Sequence, residues 1–113
     1  MDDRIKEVAF ADETVKEAYF KLKDGKFEDK QMFDFINRAI DNLKQNSQSG
    51  VRIANNLIPK EYIKKYGVTN LWKYNLPNAW RLTYNLSGDS VRIVSVILEW
   101  MSHKDYEKRF GYN

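Results

Sequence analysis

Cysteine is absent from this 113-residue chain and histidine occurs once, as His103. The first absence excludes a disulfide framework, thiolate metal sites and a cysteine nucleophile; the second excludes any site built on two imidazoles. Long apolar runs are missing too. The most apolar uncharged stretch, Ile93 to Leu98, has six residues and includes Ser95, whereas a membrane-spanning helix needs roughly 20. The opening Met1-Asp2-Asp3-Arg4 lacks the basic-then-apolar pattern of a secretory signal. These features set an expectation of a cytoplasmic protein with no membrane partner. No motif asks for a cofactor, and neither internal repeat nor low-complexity tract is visible.

What is present is the composition of a globular chain: 42% hydrophobic, 31% charged and 14% aromatic residues. That length suits one domain, taken here as 1–113, with one modest core. The formal net charge is only +3, but it is unevenly spread. Residues 1–50 carry nine Lys/Arg against eleven Asp/Glu, and residues 51–113 carry ten against five. A basic C-terminal part of this kind is expected where one face meets a polyanion.

Hydrophobic periodicity divides the chain. Ile5, Val8 and Phe10 suit a short half-buried strand over 4–10. Val15, Ala18, Tyr19 and Leu22 recur at helical spacing, and Asp24-Gly25 supplies a stop. A second stripe, Met32, Phe33, Ile36, Ala39, Ile40 and Leu43, predicts a helix between Glu28 and Asn46, so the two helices form an antiparallel hairpin. Asn46 to Gly50 reads as a mobile loop. Pro59 to Gly67 reads as a short helix with proline in its first turn. Beyond it, 71–76, 80–86 and 91–100 are strand candidates separated by Pro77-Asn78 and Ser87-Gly88-Asp89. The segment from His103 to Phe110 reads as a helical turn or two. The expected fold is α+β: a strand, an α-helical hairpin, then an antiparallel three-stranded meander, with helices packed on one sheet face and the other face open.

Alternation along the strands assigns the open face. Trp80, Leu82 and Tyr84 are expected to face the helices, leaving Arg81, Thr83 and Asn85 outside. Trp72 and Tyr74 go to the core and Lys73 outside. In the last strand Val94, Val96, Leu98 and Trp100 are the core set, which puts Ser95, Ile97 and Glu99 on the open side. His103 and Tyr106 follow at i, i+3 spacing. Lys73, Arg81, Glu99, His103 and Tyr106 thereby become candidate catalytic residues. Cleavage of RNA by its own 2′-hydroxyl needs a base, an acid and cations for the phosphorane, and this set contains each without a metal.

The stretch Leu71-Trp-Lys-Tyr-Asn-Leu-Pro-Asn-Ala-Trp-Arg-Leu-Thr-Tyr84 resembles the hairpin of RelE/ParE-type toxins of toxin–antitoxin systems, with Arg81 its most telling residue. Glu99-Trp-Met-Ser-His-Lys-Asp-Tyr-Glu-Lys-Arg-Phe110 resembles their C-terminal His/Tyr-bearing segment. The resemblance implies a ribosome-associated endoribonuclease acting on mRNA and neutralised by a cognate antitoxin protein. It assigns Arg81 to the phosphate, Lys73 to a basic residue of the second strand, and His103 or Tyr106 to acid–base work; Glu99 has no counterpart. A ParE-like gyrase-binding toxin, or a catalytically inert RNA- or protein-binding module of the same fold, are the alternatives.

Overall fold

The computed structural model describes residues 2–111. Along the chain it runs β1 (Ile5–Phe10), α1 (Glu13–Leu22), α2 (Phe27–Gln45), β2 (Val51–Arg52), α3 (Lys60–Tyr66), β3 (Leu71–Leu76), β4 (Trp80–Gly88), β5 (Arg92–Ser102) and α4 (His103–Phe110), with short 3-10 turns at Asn55–Leu57 and Pro77–Ala79. The α+β class matches the expectation. The five strands form one mixed sheet in the order β1-β5-β4-β3-β2. Strands β3, β4 and β5 are consecutive antiparallel neighbours, while β1 adds parallel to β5, from Ile5 opposite Arg92 to Phe10 opposite Ile97. A simple meander beside a separate strand is therefore too plain a description. The two-residue β2, paired through Val51 with Lys73 and Arg52 with Trp72, is too short for any alternation to reveal.

Local chemistry explains the helix ends. Asp12 caps α1, its side chain accepting from the Val15 N–H at 2.9 Å. Gly67 closes α3 in the left-handed conformation, φ 63°. Ser102 caps α4 by accepting from the Asp105 N–H at 3.2 Å. The helix hairpin lays Met32, Ile36, Ala39 and Leu43 on one sheet face, against Leu82, Tyr84, Leu86, Ile93 and Ile97. Tyr19 meets Phe10 at a tilt and stacks on Phe33, each at 4.9 Å between ring centroids, which ties β1 to both helices.

The opposite face is closed, contrary to the expected open sheet. Ile53, Ile58, Tyr62 and Val68 from the segment around α3, with Tyr106 and Phe110 from α4, form a second core on Leu71, Leu98 and Met101. The aromatic members interlock, Tyr106 stacking on Phe110 at 4.3 Å and Phe110 meeting Tyr62 edge-on at 6.4 Å. Two polar-looking segments thus supply a lid whose apolar residues are too few per segment to stand out in the sequence.

Face assignment in β5 also changes. Register runs Tyr84 opposite Ile97 and then Thr83 opposite Glu99, so Leu98 is an extra, bulged residue. The bulge reverses parity. Ile93, Ser95 and Ile97 lie on the hairpin side, Val94 and Val96 alternate away, and Leu98 joins the second core. Trp100 packs on the first core, and Glu99 points to the second face as expected. The loop after α2 is anchored rather than loose: the buried Tyr84 hydroxyl donates to Ser47 O at 2.9 Å and accepts from the Gly50 N–H at 3.1 Å.

Candidate active site

Strand β4 directs Arg81 and Thr83 to the α3/α4 side because Leu82 and Tyr84 occupy the hairpin core. Across the sheet, Lys73, Thr83 and Glu99 make one row, and Asn75, Arg81 and Met101 the next. Helix α4 starts where β5 ends, opposite Trp80, which brings its first residue, His103, beside Arg81. Arg81 Nη2 lies 3.4 Å from His103 Nδ1. A guanidinium only donates, so Nδ1 accepts, and the ring proton is placed on Nε2. That nitrogen faces Glu107 Oε1 at 3.3 Å. The imidazole is thus held between a cation and a carboxylate on an exposed helix turn.

The Tyr106 ring lies beneath Arg81 and is buried at 2% exposure. Lys73 Nζ is 5.3 Å and Arg81 Cζ 6.0 Å from its centroid. One aromatic ring therefore gathers two cations. Arg81 also donates from Nη1 to Trp80 O at 3.1 Å, while its buried Nε makes no hydrogen bond among the described residues. The structure brings together Lys73, Arg81, His103 and Tyr106, with Tyr106 as a buried platform rather than an exposed surface group.

Glu99 is placed elsewhere. Its carboxylate accepts from the Tyr62 hydroxyl and from Arg109 Nε at 3.0 Å and Nη2 at 3.4 Å, and Arg109 Nη1 pairs with Glu61. Tyr62 also bonds Thr83 Oγ1 at 3.1 Å. Burial first, then the bond to Glu99, pushes the Tyr62 phenol far above its ordinary value, so it acts as a neutral donor. The Glu61–Arg109–Glu99–Tyr62 network was not anticipated from the sequence. No local pattern marks it, because its four members come from three separate elements, α3, β5 and α4.

No protein-family model, curated protein or solved structure matches this chain. The likeness to RelE/ParE-type toxins accordingly rests on residues 71–84 and 99–110. Among the described residues no three His, Asp or Glu side chains are grouped as a metal site, and no helix is long and apolar enough to cross a membrane. What the arrangement offers chemically is two clustered cations for a phosphate beside an imidazole whose acceptor nitrogen faces the same space.

Proposed function

We propose that this chain is a metal-independent endoribonuclease of RelE type, the toxin of a toxin–antitoxin pair, acting on mRNA at cytoplasmic ribosomes and silenced by its antitoxin. The carrying observation is the 3.4 Å approach of Arg81 Nη2 to His103 Nδ1. An RNA phosphate that takes the Arg81 guanidinium frees the Nδ1 lone pair beside it. Nδ1 then removes the 2′-hydroxyl proton of the adjoining ribose. The 2′-oxygen attacks phosphorus, and Arg81 and Lys73 stabilise the added negative charge. The 5′-oxygen leaves with a proton from water, and the hydroxide so formed takes the proton back from His103. The products are a 2′,3′-cyclic phosphate and a 5′-hydroxyl. Glu107 balances the transient imidazolium across the ring.

Arg81→Ala tests this. Cleavage is expected to fall on the order of 100-fold or more, the usual loss for such an electrostatic contact, with helical circular dichroism unchanged and wild-type cleavage surviving a chelator. Arg81→Lys is expected to recover little, because an ammonium does not reproduce the guanidinium fork. A folded Arg81→Ala variant that cuts at the wild-type rate overturns the assignment. Because Tyr106 is buried and Glu99 engaged, His103 is the one exposed acid–base group of the candidate set. This favours as second reading a ParE-like gyrase binder or an inert RNA- or protein-binding module; absence of any cleavage by the wild type selects it.

A further inference from the structure

A polar groove on the hairpin side of the sheet lies at the end away from α4. It encloses about 400 Å³, and its lining includes Arg4, Gln48, Arg52, Asn70, Trp72 and Ser87 but no carboxylate. Arg52 stands directly opposite Trp72 in the β2–β3 pairing, so both side chains share that sheet face. The indole is fixed in two ways: its Nε1–H donates to Asn70 Oδ1 at 2.9 Å, and it stacks near-parallel on Tyr84, 25° between planes. Trp72 is only half-buried, so part of it is open to the groove.

The charges around the groove differ in availability. Arg4 is already held by Asp2, through Nε at 3.0 Å and Nη2 at 2.7 Å. The Asp89 carboxylate is held by the Val91 and Arg92 N–H groups of the β4–β5 turn, at 2.8 and 2.9 Å. Arg52, by contrast, is exposed on a two-residue edge strand and carries no ion pair or ring contact among the described residues. A free guanidinium next to a fixed indole, with side-chain amides from Gln48 and Asn70 and no competing carboxylate, recognises a flat heterocycle bearing a phosphate.

We infer that this groove binds a nucleotide, its base against Trp72 and its phosphate on Arg52. The site is distinct from the Arg81 cluster, on the opposite sheet face, and does not depend on that cluster being catalytic. The ligand is either a free mononucleotide or one nucleotide of a single-stranded RNA, since both present the same base and phosphate.

Nitrogen-15 NMR of the indole N–H signals decides, using the full chain with adenosine 5′-monophosphate, a short oligoadenylate and inorganic phosphate as separate probes. Trp72→Phe identifies the resonance; where that variant does not fold, the Overhauser contact of the indole with Tyr84 does. The Trp72 signal is expected to shift with one or both nucleotide probes and not with phosphate alone. A shift with the mononucleotide marks a site for the free molecule, and a shift with the oligomer only marks a site for RNA. Arg52→Glu is expected to weaken either response about tenfold or more, while Arg81→Ala leaves it intact whether or not RNA is cleaved. No nucleotide-induced shift, an equal shift with phosphate alone, or an unaltered affinity in folded Arg52→Glu overturns the inference.

Discussion

Tyr84 shows how much a single side chain can organise. Its ring is fully buried between the hairpin and the sheet, and its hydroxyl holds both ends of the loop that connects α2 to β2. Gly50 permits this approach, since a Cβ there would sit 2.4 Å from Lys73 O and 2.8 Å from the Tyr84 hydroxyl. Tyr84→Phe keeps the packing but leaves Ser47 O and the Gly50 N–H without their partner, at an expected cost of about 1–3 kcal/mol in urea unfolding. Burial raises the Tyr84 phenol from 10.0 to about 12. The folded state therefore holds this proton more tightly than the unfolded chain. Its contribution to stability is complete below pH 10 and disappears as pH rises from there towards 12. Denaturation midpoints should decline across that window, and less steeply in Tyr84→Phe. Tyr62, shifted in the same direction, keeps some slope in the variant. An identical alkaline decline in both proteins would remove Tyr84 from this account.

At the scale of elements, the β3–β4 turn combines strain with position. Pro77 starts it, and Asn78 and Ala79 both adopt positive φ, 62° and 61°. Asparagine tolerates that region, but a Cβ on alanine costs roughly 1–2 kcal/mol there. Glycine releases the strain and returns about 0.5–1 kcal/mol through its looser unfolded state. Ala79→Gly is therefore expected to raise stability by up to about 1 kcal/mol in thermal unfolding; a clear loss would mean that the methyl group has a packing role. The turn also sets the start of β4 and hence the placement of Arg81, so under the catalytic reading the same variant tests whether turn rigidity supports cleavage. Elements differ in how openly the sequence announces them. The hairpin helices and β3 and β4 stand out because their apolar residues repeat within a few positions and their ends carry Asp12, Gly25 and Pro77. The lid around α3 and α4 does not, because Ile58, Tyr62, Val68, Tyr106 and Phe110 make a core only when the segments meet over Leu71, Leu98 and Met101.

For the molecule as a whole, the Glu99 network joins the sheet to both lid helices. Arg109 from α4 reaches Glu99 on β5 and Glu61 on α3, and Tyr62 closes the ring. Glu99→Gln is expected to cost about 1–2 kcal/mol, allowing for solvent screening of side chains that are 34% and 30% exposed. RNA cleavage, if present in the wild type, should persist in this variant at temperatures where it is folded. Lost cleavage at unchanged stability would return Glu99 to the catalytic set. The amino-acid sequence by itself determined the α+β class, the hairpin, the antiparallel order of the last three strands and the chemical inventory: one imidazole, no thiol and a basic C-terminal part. Those properties are written in residue type and in spacings of two to four positions. Tertiary structure alone decided that β1 joins β5 in parallel, that Leu98 bulges and reverses the inward face, that the second sheet face is covered, and that Tyr106 lies beneath Arg81 while Glu99 turns to Arg109. Each depends on groups far apart in the chain, such as Tyr62 and Glu99, 37 residues apart, whose meeting is set by sheet register and shared burial, and no local periodicity encodes that.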